Sequence, residues 1–336
     1  MDKDQTYMMR AIELAKQGEG LTRPNPPVGA VLVLDDQIIA EGWHKKAGSD
    51  HAERACLKKL PPMPVNLKDA TLYVTLEPCS THGKTPPCTD IILEKGVGRV
   101  VVSVVDLNPA HAGRGLTILE DAGVEVRSGV CEEAGRELIA PFEKRITTGL
   151  PFVTLKLAST LDGKIADCNG DSKWITGPEA RERVQDMRRR ADAIMVGAAT
   201  VRADDPSLLP RPSGGRKPWR VIVGTHIPEG SRVRTDEFAN QTLVRSGDLR
   251  IILKELAEKQ GVMHVFCEGG GKLAAGLIGA GLVDELALFM APKLLGSDGL
   301  PNFGKNGALM AEMTNLRFQS LERVGKDILI KAIPED

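Results

Sequence analysis

Residues 75–88 read Thr-Leu-Glu77-Pro78-Cys79-Ser-Thr81-His82-Gly-Lys84-Thr-Pro-Pro-Cys88, and upstream of them lies His51-Ala-Glu53. One imidazole and two thiols suit a zinc ion and leave a fourth tetrahedral position open for water. A purely structural zinc site would want four protein ligands, which this set does not supply. A glutamate two residues beyond the histidine suits a proton shuttle beside that water, not a further ligand. The expected metal ligands are therefore His51, Cys79 and Cys88, with Glu53 as the catalytic residue. Taken one at a time, these would read as core cysteines and a surface histidine.

The surroundings of the motif predict how it is held. Residues 70–76 (Ala-Thr-Leu-Tyr-Val-Thr-Leu) form a buried strand that stops at Glu77. Cys88 opens a helix running to Lys95, whose positive end favours a thiolate. Ala52, Ala55, Cys56 and Leu57 are spaced as a helix from His51 onward, which places His51 and Glu53 in its first turn. Cys56 falls on the buried face of that helix and is left out of the metal site. Upstream, residues 4–18 are spaced as an amphipathic helix ended by Gly18 and Gly20, and strands 30–34 and 37–42 flank the turn Asp35-Asp36. Asn25 sits in the stiff Arg-Pro-Asn-Pro-Pro turn, where its amide either reads a base edge or serves the turn alone. Downstream, residues 97–105 are a β-branched strand buried on both faces. It ends at Asp106-Leu-Asn108-Pro109, on the side where open α/β sheets carry their sites. A helix over 113–122 and a short strand over 124–126 complete a three-layer α/β domain ending near residue 147.

The chain totals agree with this reading. At 336 residues, two domains are the default. A formal net charge of -1 gives no reason to expect nucleic acid or a membrane as partner. Six cysteines without a stapling pattern point to a reducing compartment, and the N-terminus has no apolar signal core, so the expected location is cytoplasmic.

After the linker 147–151 the texture changes. Residues 152–159 alternate as a strand, Pro178 to Arg190 is a charged helix, and 193–197 and 221–225 are further strands. The strand 262–267 runs into Glu268-Gly-Gly270-Gly271-Lys272 and then a helix over 273–279. Glycines between strand and helix either let backbone amides approach a phosphate or simply make a tight turn. Arg181, Arg183 and Arg188–Arg190 form mainly a solvated helix face, with one or two expected to reach a phosphate.

These pieces together resemble the bifunctional riboflavin-biosynthesis deaminase–reductases. The carrying motifs in the first half are Asn-Pro-Pro-Val-Gly-Ala, His-Ala-Glu, Asp-Leu-Asn-Pro and the cysteine stretch with its eight-residue gap. In the second half they are Thr-Leu-Asp-Gly-Lys, Ser-Lys-Trp-Ile-Thr-Gly, Val-Gly-Ala-Ala-Thr-Val-Arg-Ala-Asp-Asp-Pro, Glu-Gly-Gly-Gly and Ala-Pro-Lys-Leu-Leu-Gly. One departure is Thr81, where histidine is usual; it is not a ligand in the family pattern. The resemblance implies a cytidine-deaminase-like zinc domain over 1–147 and a dihydrofolate-reductase-like α/β domain over 151–336. The implied cofactors are one Zn2+ and NADPH, and the implied substrate is a phosphorylated pyrimidine. Asn25, His44, Lys84 and Asn108 are expected at the deaminase substrate. By the same resemblance Ala158, Trp174, Thr200, Asp204, Thr225, Gly270, Gly271 and Lys272 contact NADPH, and Ser172, Arg188, Leu208, Arg211 and Glu268 hold the reductase substrate. A homo-oligomer is expected for an enzyme of this size. A nucleic-acid deaminase would share the zinc motif, yet it would show a basic surface and leave the second half unexplained. A C-terminal half serving only for interaction would bind no NADPH.

Overall fold

The computed structural model describes residues 2–60, 66–82, 86–108, 112–212, 216–304 and 313–335. The chain forms two compact units, Met1–Thr148 and Gly149–Asp336.

The first unit runs α1 (Lys3–Lys16), β1 (Gly29–Leu34), β2 (Gln37–Trp43), α2 (Ala52–Leu57), β3 (Thr71–Leu76), α3 (Cys88–Lys95), β4 (Arg99–Val104), α4 (Arg114–Asp121), β5 (Glu125–Arg127) and α5 (Glu132–Thr148). The sheet order is β2-β1-β3-β4-β5, with β1 antiparallel to both neighbours and β3, β4 and β5 parallel. The strand period of two sorts the core into layers. Leu32, Leu72, Val74, Val100 and Val102 face Cys56, Leu57, Ile92 and Leu119 on one side. Val31, Val33, Tyr73 and Val101 face Met8, Ala11 and Ile12 of α1 on the other. This is the expected three-layer arrangement. At Gly42 a Cβ would lie 2.4 Å from the Cys56 nitrogen and 2.6 Å from the Ala52 carbonyl oxygen. Only glycine lets α2 sit this close to β2, and that contact seats His51 and Glu53.

α5 was not part of the sequence expectation. Gly135 and Pro141 lie inside it and break its local helix signal, while packing of Leu138 and Ile139 on Leu76 and Val104 sustains it.

Asp4 ties α1 to the sheet. It accepts from Tyr73 Oη at 2.7 Å, Arg99 Nη2 at 2.8 Å and Arg127 Nη1 at 2.6 Å. Arg99 first, against the opposing effect of burial, and then Tyr73 hold its carboxyl far below the usual range. The folded pKa is depressed, so the contribution is fully present at neutral pH and fades as pH falls through the ordinary carboxylate range and below. Asp4→Ala is expected to cost roughly 2–3 kcal/mol at pH 7. The loss should stay nearly constant down to about pH 4 and shrink below it, which denaturant melts at pH 7 and about pH 2 will check.

The second unit runs β6 (Phe152–Thr160), β7 (Lys164–Ala166), α6 (Pro178–Arg190), β8 (Ala193–Gly197), α7 (Ala198–Asp204), β9 (Trp219–Val223), α8 (Arg232–Thr235), β10 (Thr242–Arg245), α9 (Leu249–Gln260), β11 (His264–Cys267), α10 (Gly271–Gly279), β12 (Glu285–Ala291), β13 (Leu300–Pro301), β14 (Leu316–Val324) and β15 (Asp327–Pro334). Its main sheet has the order β10-β9-β8-β11-β6-β12-β15-β14. The run from β10 to β12 is parallel, and β15 and β14 close it in antiparallel pairs. Val153, Leu155, Met195, Val221 and Val265 pack against α9 and α10. Phe266, Ala287 and Phe289 pack on the opposite face against Ala180 and Val184 of α6. The carboxyl ends of β6, β8, β9 and β11 therefore open on one edge, where such sheets bind ligands. The sequence pattern assigned no element to the stretch after β8, where α7 lies. No helix among the described residues is long and apolar enough to cross a membrane.

Candidate active sites

In the first unit, His51 is the N-cap of α2, with φ −67° and ψ 165°. Its ring thus stands just outside the first turn, while Glu53 lies within it. His51 Nδ1 is 3.5 Å from Cys79 Sγ and 3.5 Å from Cys88 Sγ. The three potential ligand atoms all lie within 4.8 Å of one another. Cys79 follows β3 and Cys88 begins α3. The neck of the loop between them is closed by the Cys88 amide, which donates to the Cys79 carbonyl at 3.0 Å. A nitrogen and two sulfurs at this separation, with an un-ligating carboxylate beside them, are a donor set that fits zinc.

The charges inside the cluster are coupled. Hydrogen bonding from Cys88, with further help from His51, lowers the Cys79 thiol to about 4 despite burial. The Cys88 thiol is held well up by that hydrogen bond to Cys79 and by burial. The helix end was expected to make Cys88 the thiolate; in the bare pair the neighbouring sulfur outweighs it. A bound dication would favour losing both protons. Burial first, then the Cys79 charge, pushes Glu53 up to about 7. Its side chain is 3% exposed. Cys56 is fully buried and its thiol is pushed up to about 12 by burial, in keeping with a packing role.

His44 and Asn25 are brought to this cluster. The His44 and His51 rings meet edge to face at 5.2 Å. His44 Nδ1 is 3.0 Å from the Asp50 carbonyl oxygen, so it donates there, and its Nε2 then accepts from Asn25 Nδ2 at 3.3 Å. Burial lowers the His44 pKa, which suits this neutral tautomer. With both ring nitrogens engaged, His44 fixes the Asn25 amide. Lys84 lies outside the described residues, and His82 is exposed.

Glu77 is a functional element that sequence reasoning quoted without assigning. It is 5% exposed and accepts backbone amides from Asp106 at 3.1 Å, Gly113 at 2.9 Å and Gly115 at 2.9 Å. A Cβ on Gly115 would lie 2.1 Å from the Pro78 carbonyl oxygen. The chain after β4, which carries Asn108, is thereby strapped to the residues preceding Cys79. Asn108 donates its own amide to Asp106 Oδ1 at 2.8 Å. Glu77→Ala should cost roughly 3 kcal/mol or more, since three charge-assisted bonds go. Hydrogen-exchange mass spectrometry should show faster exchange at Asp106, Gly113 and Gly115.

In the second unit, Arg188 grips Glu268 with two bonds, Nε to Oε1 at 2.5 Å and Nη2 to Oε2 at 2.9 Å. Arg188 Nη1 also reaches the Leu209 carbonyl at 3.3 Å, and Arg189 Nη1 donates to the Arg211 carbonyl at 3.0 Å. The expected substrate residues Arg188, Glu268, Leu208 and Arg211 are thus gathered on α6, the end of β11 and the segment after α7. Burial opposes ionisation of Glu268, yet Arg188 outweighs it and holds the carboxyl low. Ser172 contributes its carbonyl to the Ile175 amide at 3.2 Å.

Lys156 was missed. Cys267 pairs with Leu155 across β11 and β6, so Lys156 and Glu268 are the next residues on neighbouring strands. Lys156 is half-buried, and burial followed by the Arg188 charge lowers its pKa against the pull of Glu268. A lone lysine inside Phe-Val-Thr-Leu-Lys-Leu-Ala-Ser was the available signal.

A cleft of about 570 Å³ lies along the same edge, between residues 197–199, 223–226 and the start of α10. Thr225 and Lys272 line it, and Thr200 Oγ1 donates to the Gly269 carbonyl at 3.2 Å beside Gly270, the N-cap of α10. Ala158, Trp174 and Asp204 do not line this cleft. Trp174 is 63% exposed beneath the Arg181 guanidinium at 4.5 Å, and Asp204 pairs with Lys173 at 3.0 Å. Small residues, a cation and a helix start fit a phosphate-bearing nucleotide cofactor.

Comparison with known proteins adds the following. The family model for the RibD C-terminal domain matches residues 151–330, and that for the cytidine and deoxycytidylate deaminase zinc-binding region matches residues 1–104. The chain is 41% identical to the riboflavin biosynthesis protein RibD of Bacillus amyloliquefaciens, covering 99% of this chain and 97% of that one. It is 39% identical to the Escherichia coli (strain K12) RibD, covering 98% and 99%. Among solved structures, Acinetobacter baumannii RibD is similar with a TM-score of 0.90 at 36% identity, covering 99% of each chain. A Thermotoga maritima diaminohydroxyphosphoribosylaminopyrimidine deaminase/5-amino-6-(5-phosphoribosylamino)uracil reductase is similar with a TM-score of 0.88 at 38% identity, covering 99% of each chain.

Proposed function

The chain belongs to the RibD family of riboflavin-biosynthesis proteins, and on that premise we propose that its two units carry the deaminase and the reductase of that pathway respectively. The substrate is a phosphorylated pyrimidine, 2,5-diamino-6-ribosylamino-4(3H)-pyrimidinone 5′-phosphate. The first unit exchanges a ring amino group for oxygen, and the second reduces the ribosyl side chain to ribityl. The observation that carries the reading is the cluster of His51, Cys79 and Cys88 with the buried carboxyl of Glu53 beside it.

His51, Cys79 and Cys88 would hold the zinc, which when bound would acidify a water. Glu53 takes a proton from the attacking water and passes it to the leaving amine. The Asn25 amide, oriented by His44, reads the edge of the ring, and Asn108 borders it from the strapped chain after β4. In the second unit NADPH would supply the hydride. Arg188, paired with Glu268, and Arg211 orient the ribosyl phosphate. Hydride addition at the sugar carbon bearing the amine expels the ring oxygen with its electron pair, and Lys156 gives that oxygen a proton. Ala158, Trp174, Thr200, Asp204, Thr225 and residues 270–272 are assigned to NADPH.

Among the described residues all six cysteines are free thiols, which supports a reducing, cytoplasmic setting. Self-association has a candidate surface in the open edge strand β14, where Phe318 is 63% and Leu321 66% exposed.

Mass spectrometry of products with and without NADPH tests the whole reading. Amino-to-oxo exchange should occur without cofactor, and two hydrogens should be gained only after NADPH is added. No change in either reaction with zinc-loaded protein would overturn it.

A further inference from the structure

Resting on the reductase reading of the second unit, we propose that Arg220 is a positioning residue of the reductase. Through the peptide that joins Ser207 to Leu208, it aims the Leu208 amide at an acceptor oxygen of the phosphorylated substrate. Arg220 lies on β9 and is 0% exposed. Its guanidinium grips Asp236 with two bonds, Nη1 to Oδ2 at 2.6 Å and Nη2 to Oδ1 at 2.8 Å. The same two nitrogens reach the Ser207 carbonyl at 3.2 Å and the Val233 carbonyl at 3.3 Å. Separate segments are thus fastened to one strand, a task for a rigid fork of donors and not for a lysine ammonium. Burying such a charge offsets much of the attraction to its partner, so what the pair secures is geometry.

That geometry matters at Leu208. Its side chain is 1% exposed and packs with Ile222 and Val233, so Leu208 can meet a substrate only through its backbone. Its φ is 52°, in the left-handed region that a side chain adopts at a cost and that the surroundings must hold. The Ser207 carbonyl and the Leu208 N–H belong to one planar trans peptide and point in opposite directions. With the carbonyl taken by Arg220, the N–H faces away from that side chain, and it donates to no partner among the described residues. A backbone amide left without a protein partner is a donor for a ligand. α6 secures the far end of the segment: Arg188 Nη1 reaches the Leu209 carbonyl at 3.3 Å, and Gln185 Oε1 accepts the Arg211 amide at 2.9 Å. Residues 207–211 are therefore held from both sides. Slack at Ser207 would displace the Leu208 donor while Arg188 and Glu268 stay paired.

Steady-state kinetics of full-length Arg220→Lys with the deaminated pyrimidine and NADPH test this, with NADPH binding measured alongside by calorimetry. Lysine keeps the charge but cannot hold Asp236 and the Ser207 carbonyl together. KM for the pyrimidine should rise about tenfold, the worth of one misplaced charge-assisted hydrogen bond. The turnover number and the NADPH Kd should stay within about threefold of wild type, the signature of lost substrate binding alone. Hydrogen exchange at residues 207–209 should quicken in the same variant. Asp236→Asn is nearly isosteric and only weakens the fork, so it should raise KM by a smaller factor and decides the matter if Arg220→Lys does not fold. Folded variants with the wild-type KM would overturn the proposal, and so would KM and the NADPH Kd rising together, which is what a general loosening of the unit predicts. Wild type that reduces nothing would sink the reductase reading and this role with it. Wild type that reduces normally beside variants with unchanged KM would sink only the role of Arg220.

Discussion

Glu53→Gln is expected to abolish deamination, by at least about 10³-fold in kcat, with zinc content unchanged. The substitution is nearly isosteric and Glu53 is 3% exposed, so the packing around it survives. What is lost is the ability to accept and return a proton. Burial and the Cys79 charge push the carboxyl up to about 7, and a neighbouring dication would pull the other way. A shuttle with a pKa near the working pH can both take and release a proton, and an amide can do neither. Metal analysis of the purified variant decides between roles. Full zinc with no ammonia release fits the shuttle. Lost zinc would make Glu53 a ligand, and activity within about tenfold of wild type would remove it from the chemistry. Cys79→Ser serves as the contrast, since it should lose zinc and deamination together.

The contrast between Glu53 and its neighbours shows where sequence reading succeeds. His51, Glu53, Cys79 and Cys88 are legible because metal chemistry restricts residue type and order, and because the buried run Val100–Val102 and the helix Pro178–Arg190 announce their elements by local pattern. Features set by distant partners were not legible. Glu77 reads as part of a motif, yet its partners are backbone amides 29, 36 and 38 residues away. Asp4 meets Arg99 and Arg127 across 95 and 123 residues, where no periodicity reaches. α5 was hidden for the opposite reason, because Pro141 speaks against helix locally and tertiary packing overrides it. His44 was expected at the deaminase substrate only by resemblance, and its two engaged nitrogens became visible only with Asp50 and Asn25 in place.

Lys156→Met should lower the reductase kcat by roughly 10²-fold or more while deamination is unchanged. The step needs a proton on the oxygen released as hydride reaches the sugar carbon. Lys156 is the cation next to Glu268 on the neighbouring strand, in a half-buried position where burial and then Arg188 lower its pKa from 10.5. A lysine that gives up its proton more easily than usual is a better acid near neutrality. Methionine keeps the apolar stem and removes the ammonium. Stability separates this from a structural effect. The folded pKa lies below the unfolded one, so the charged lysine costs stability at neutral pH, and that cost is relieved as pH rises through the folded pKa. Met at this position should therefore melt no lower than wild type at pH 7. Loss of reduction with an undiminished melting temperature and retained NADPH binding assigns the proton to Lys156. In the wild type, the alkaline limb of the reductase pH profile should fall below the ordinary lysine value of 10.5 and vanish in the variant's residual rate. A profile left unchanged by the substitution would move the proton donor to another group.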